Sequence, residues 1–169
     1  MRQQKPAESE VYGEALWRFS LAFYSRPSVA EALIALQDRA GLDVNVILFA
    51  IWSGAARGHR LEAAELRRAE AAIAPLQREV VEPMRDLRRR LRRESDGDMQ
   101  ALRRRISVLE LAAERAAEAR LAAAATAPAG ENERFASANA NLALYLGAEA
   151  PSAEAAVLNE ALRDFLTRD

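Results

Sequence analysis

The chain has no cysteine, one histidine and one lysine. Without cysteine there is no disulfide, no thiolate metal site and no thiol nucleophile, and the composition fits a reducing compartment. His59, alone, cannot build a two-histidine zinc motif. No run of about 20 apolar residues occurs, so no membrane span is predicted. The first ten residues lack the apolar stretch of a secretory signal and read as a disordered lead-in, residues 1–10. These absences lead to the expectation of a soluble cytoplasmic protein. Missing too are alternating apolar–polar stretches bounded by turns, so no strand is predicted. There is no G-x-S-x-G elbow, no phosphate-cradling glycine loop and no H-E-x-x-H. No catalytic residue, metal ligand or cofactor is therefore assigned.

What is present is helix. The 169 residues suit about one domain and can bury a core without staples. Half are apolar, but 38 are alanine, which favours helix and buries little. The core must come from fewer large residues, and these concentrate before Leu91, with both tryptophans and three of five phenylalanines. Arginine outnumbers lysine 23 to 1, which with the alanine content suggests a GC-rich bacterial genome.

Periodicity predicts an all-α, irregular bundle of six or seven helices, one of them long and kinked by proline. The first helix spans Tyr12 to Tyr24, with Tyr12, Leu16, Phe19 and Phe23 on one stripe and Trp17, Leu21 and Tyr24 widening it. Ser28 and Glu31 suggest a capping box for a second helix ending at Gly41. Asp43 is a good N-cap for a third, whose stripe is Val44, Ile47, Leu48, Ile51 and Trp52. Gly58 ends it and leaves His59 exposed. The segment from Leu61 to Arg93 carries Ile73, Leu76, Val80, Met84, Leu87 and Leu91 at helical spacing, with Pro75 and Pro83 inside the pattern, so a kinked helix or collinear pieces are expected. After the Ser95–Asp98 turn a fifth helix runs to about Ala125, burying Leu102, Ile106, Leu109, Ala113 and Ala116. Beyond the linker Ala127–Gly130, a sixth helix buries Phe135, Ala138, Leu142 and Tyr145 and a seventh begins near Pro151. Domain organisation is read as the lead-in 1–10, an aromatic-rich helical core 11–95 and alanine-rich C-terminal helices 96–169 docked on it.

Three constellations carry whatever chemistry there is. Gln37, Asp38, Asp43 and Asn45 surround one tight helix–helix turn, and Arg85 is placed to reach Asp38 or Asp43. The functional reading is a polar pocket; the simpler one is a cap and an ion pair that fix packing. Trp17, Phe23, Tyr24, Phe49 and Trp52 form either an apolar pocket or, on the commoner pattern, core. Arg88, Arg89, Arg92, Arg103 and Arg104 form a candidate basic patch. No aromatic residue interleaves these arginines for base stacking, so nucleic acid is not the expected partner. Residues 85–105 carry a surplus of five positive charges and residues 106–169 a surplus of five negative ones.

Leu16-Trp17-Arg18-Phe19-Ser20, Phe23-Tyr24, Leu36-Gln37-Asp38, Gly41-Leu42-Asp43-Val44-Asn45, Leu48-Phe49, Trp52 and Pro83-Met84-Arg85 make a distinctive series. It resembles a proteobacterial family of small proteins classed as a domain of unknown function, with Met84 where leucine is expected, a volume-conserving change. The resemblance covers roughly Leu16 to Leu91 and implies no activity, ligand or partner. The residues themselves suggest a non-enzymatic interaction or adaptor protein with an unidentified protein partner. The alternative is a helical small-molecule-binding protein or enzyme with an apolar pocket and the Asp/Asn/Arg cluster.

Overall fold

The computed structural model describes residues 8–125, 130 and 132–167. All regular structure among them is helical. Residues 1–7 of the expected lead-in and most of the expected Ala127–Gly130 linker lie outside the described residues. The helices are α1 (Glu8–Tyr24), α2 (Val29–Ala40), α3 (Val44–Ala55), α4 (Ala63–Leu76), α5 (Glu82–Leu91), α6 (Gly97–Ala124), α7 (Arg134–Leu146) and α8 (Ala153–Thr167). No described helix is long and apolar enough to cross a membrane.

α3 is the central strut. Every residue from Asn45 to Ala55 is buried, as a helix apolar on all sides must be. Asp43 caps it as expected, its side chain accepting from the Asn45 N–H at 2.8 Å. Gly41 ends α2 in the left-handed region, φ 68°, with its N–H bonded to the Gln37 carbonyl. The expected Ser28 cap is absent. Ser28 itself is left-handed, φ 62°, and makes no capping bond. Pro27 and Ser28 instead form the middle of a turn closed by Val29 N–H to the Arg26 carbonyl at 3.2 Å, and such a turn needs positive φ at its third position.

The most extensive helix pair is α3 across α7. A Cβ on Gly54 would lie 2.1 Å from the Ala138 backbone nitrogen, so the two backbones touch. Asn141 of α7, fully buried, accepts from the Leu61 N–H at 2.8 Å and donates to the carbonyls of His59 (2.9 Å) and Ala50 (3.1 Å). That one side chain ties the α3–α4 connection to α7. It also holds His59 inward. The histidine expected to be exposed is partly buried, with its ring 3.2 Å from Glu65. α8 closes the other side, where Phe165 sets its edge on Phe19 and Phe23 at 5.3 and 5.9 Å. Arg39 of α2 pairs with Glu149 and Glu154 beside it. One apolar cluster joins residues from α1, α2, α3, α4, α6, α7 and α8.

The proline-bearing segment stays helical from Ala63 to Leu91, and its irregularity has a specific form. Between α4 and α5, Gln77–Val81 makes a π-helical turn in which the Glu82 N–H reaches the Gln77 carbonyl five residues back. The wider turn relieves the clash that the Pro83 ring would make with the carbonyl of residue 79 in a regular helix. α5 buries none of its residues fully.

α6 departs from its expected register. Leu109 is 56% exposed, and Leu102 and Ala116 are exposed as well. The buried stripe is Ile106, Glu110, Ala117, Glu118, Leu121 and Ala122. Two glutamates face inward: Glu110 is met there by Arg85 and Arg88 of the neighbouring helix, and Glu118 is not.

Candidate functional site

α5 packs along α6 but stands away from α1, α2 and α3, and a cleft opens on that side. Its larger part, a groove of about 970 Å³, runs along α6 from Arg103 to Glu118. Its smaller part, about 340 Å³, lies between the Gly41–Asp43 turn and the π-turn. Gln37, Asp38, Arg85 and Arg89 line both parts. Between them Arg89 donates to Asp38 at 2.9 Å, with both side chains half-exposed.

Ion pairs across the groove fasten α5. Arg85 donates to Glu110 at 3.3 Å and to Glu114 at 3.0 Å. Arg88 grips both oxygens of Glu110 at 2.5 and 3.1 Å, the bidentate geometry that a guanidinium fork favours. Burial pushes the Glu114 carboxyl above its ordinary range, and the Arg85 hydrogen bond pulls the other way. Glu118, 1% exposed, is held up to about 7 by burial, opposed by the neighbouring Ser20 hydroxyl and reinforced by Glu114. Tyr24 is raised by burial and by the charge of Glu114. Six arginines and four acids line the groove. Among the described residues Arg92, Arg93 and Arg103 take part in no ion pair, and Arg103 Nε is buried without a partner. Positive charge is in surplus at that end.

The opposite wall is apolar and open. Leu21 is 51% exposed, and Tyr24, Ile34 and Leu111 face the groove with comparable exposure. Trp17 lines it too, under the guanidinium of Arg115 at 5.8 Å.

The structure therefore splits the aromatic set. Phe23, Phe49 and Trp52 are core, while Trp17 and Tyr24, expected to widen the core stripe, line the groove instead. They sit on the flank of α1 that α5 stands too far away to cover. The polar set divides between the compartments. Gln37, Asp38 and Arg85 line both, Asn45 the groove and Asp43 the smaller cleft. Arg85 does not reach Asp38 or Asp43 by any ion pair, because Glu110 and Glu114 hold it. Burial raises the Asp43 carboxyl, against the hydrogen bonds from the Asn45 and Val46 backbone. Tyr145 of α7 accepts the Asp43 N–H at 3.0 Å and is itself raised by burial. Of the basic patch, Arg88, Arg89, Arg92 and Arg103 line the groove and Arg93 joins them, while Arg104 points to solvent.

Among the lining residues not singled out by sequence are Gln77, Glu110, Glu114 and Glu118, and Ile34 and Leu111 of the apolar lining. The three glutamates recur every four residues on the face that also carries Ile106 and Leu121, which is the available signal. Gln77 is buried in the π-turn, with Nε2 lacking a partner. Among the described residues no group of three or more His, Cys, Asp or Glu side chains could hold a metal ion.

No curated protein matches the chain, and no solved structure does. A family model, described as protein of unknown function (DUF2390), matches residues 15–121. That span runs from α1 nearly to the end of α6, holds every residue lining both parts of the cleft and stops before α7 and α8. The chain belongs to this DUF2390 family, whose matched unit contains the whole cleft.

Proposed function

We propose that the protein acts by binding, and that the groove holds an acidic amphipathic helix from a partner protein. The observation that carries this reading is the pairing of an open apolar wall, Leu21, Tyr24, Ile34 and Leu111, with the uncommitted arginines 92, 93 and 103. Exposed apolar surface rimmed by charge marks interaction sites, and a helix laid in a groove is a recurrent mode of recognition. The arginine surplus selects acidic partners and speeds their encounter. From Arg103 to Glu118 the groove is about 22 Å long at 1.5 Å per helical residue, longer than a compact ligand needs. The cysteine-free composition suits action in the cytoplasm of a bacterium.

The test is a titration of the full chain with a synthetic helical peptide bearing leucines on one face and glutamates beside them, read by Trp17 emission and by calorimetry. Saturable binding that weakens with salt and vanishes in the Arg92→Glu, Arg93→Glu, Arg103→Glu variant supports the reading. No binding at low salt, or equal binding of the lysine counterpart, removes it.

A second reading rests on the smaller cleft. Its size suits a small polar molecule, π-turns are frequent at functional sites, and Gln77 Nε2 is buried there unpaired. A melting-temperature screen of small polar compounds tests it. A hit whose shift is lost in Gln77→Leu supports a ligand there, and a screen with no such hit removes it.

A further inference from the structure

The groove differs chemically from one end to the other. At the Arg103 end the unmet groups are cationic. At the other end Glu118 Oε2 is buried without a hydrogen-bond partner among the described residues, although the residue lines the groove. A buried carboxylate oxygen with no donor is costly, and an occupant that brought one would relieve that cost. The polar neighbours that act on Glu118 leave that oxygen unpaired, and the nearby Ser20 Oγ is itself buried without a hydrogen-bond partner. Glu114, on the same helix, repels charge there, and Ser20 of α1 offers one hydroxyl. Burial holds the Glu118 carboxyl up, and a cation beside it favours the charged form.

We propose that Glu118 recognises a lysine or arginine in the last turn of the bound helix, whose acidic first turn lies against Arg92, Arg93 and Arg103. This deepens the groove reading and rests on it. Direction follows from helix electrostatics. A free helix is stabilised by acids in its first turn and cations in its last. Arg103 and Glu118 stand a matching helix length apart, about 22 Å. Both ends are satisfied only when the occupant runs parallel to α6. It is then antiparallel to α1, whose Gly13 lies at Ala119 and whose Trp17 lies under Arg115. The partner segment has acids first, leucine-type residues in the middle to meet Leu21, Tyr24 and Leu111, and a base last. Glu118 supplies specificity at the point where the arginines cannot.

Three peptides of about 15 residues test this by calorimetry on the full chain. One has glutamates first and lysines last, one has the order exchanged, and one has glutamates first and glutamines last. The first should bind the wild type at least about tenfold more tightly than the other two, as expected for a charge-assisted hydrogen bond at a buried site. In Glu118→Gln the advantage of lysine over glutamine should disappear, while the glutamine peptide binds as it does to wild type. Each peptide has the same intrinsic helicity against either protein, so that difference isolates the contact. Glu118→Asp, which keeps the carboxylate, should keep part of the preference, and unchanged circular dichroism shows both variants folded. Equal affinity for lysine and glutamine peptides in the wild type overturns the role of Glu118 and leaves the groove reading standing. If none of the three binds, both fall.

Discussion

At the α3–α7 crossing two helices meet backbone to backbone. At the α5–α6 seam two helices also lie close, but arginine and glutamate join them. The first contact has Gly54 against Ala138 and one fully satisfied polar side chain, Asn141. The second has Arg85 and Arg88 on Glu110, with a long groove beside them. Small residues let helices close until no volume remains, and the pair then depends on shape. Long charged side chains fasten α5 to α6 and leave α1 and α2 uncovered, and the volume between is accessible. One chain thus carries a rigid half and a loosely fastened wall, and the proposed binding belongs to the wall. α5 buries no residue fully, so it can shift at little cost in buried surface.

The comparison is most directly broken at Gly54. Gly54→Leu should prevent folding, and Gly54→Ala should cost about 3 kcal/mol or more in urea titration, because the Ala138 backbone that a Cβ would meet cannot rotate aside. A loss under about 1 kcal/mol would show that α7 can lift off α3. Close behind is Trp52, 2% exposed and packed on Phe49 and Tyr12. Trp52→Ala should cost roughly 3–5 kcal/mol, whereas Trp17→Ala, on the groove wall, should cost far less.

The rigid half was largely readable from sequence. Asp43, Gly41 and the α3 stripe announce themselves because caps and apolar periodicity are local properties. The groove was readable only in part. Trp17 and Tyr24 share a helix face with core residues, and nothing in α1 says that α5 will fail to cover them. Glu110, Glu114 and Glu118 look like a solvated face on an alanine-rich helix, since the first two are held by arginines some 25 residues away, as with Arg85 and Glu110, and the third is covered only by tertiary packing. Gly54 gave no sign either. Its need for a missing side chain appears only once Ala138 crosses it.

Glu118 separates the two halves by pH. Its carboxyl binds a proton more tightly folded, at about 7, than at the ordinary 4.5. Between those values the folded state holds more protons than the unfolded state, so this group lowers stability progressively as pH rises from about 4.5 through 7. Glu118→Gln should leave stability unchanged near pH 4 and raise it above pH 7.5 by up to roughly 3 kcal/mol. Asp43, Glu70 and Glu114 are shifted the same way by burial, and Glu14, Glu65 and Glu154 the opposite way by their partners. The wild-type minus variant difference, taken from urea midpoints at each pH, removes those shared contributions. A flat difference across that range would place Glu118 in water.

The smallest effect is expected at the pair that divides the cleft. Asp38 and Arg89 are each about half-exposed, so their ion pair is screened, and Arg89→Ala should change stability by less than about 1 kcal/mol. Its consequence should lie in access instead. The pair joins α2 to α5 and lies between the groove and the smaller cleft. Without it α5 retains Arg85 and Arg88 on Glu110 but loses its tether to α2. Hydrogen exchange should therefore quicken along α5 while α3 and α7 stay protected. If exchange in α3 quickens equally, α5 belongs to the same cooperative unit as the core, and the division between a rigid half and a movable wall does not hold.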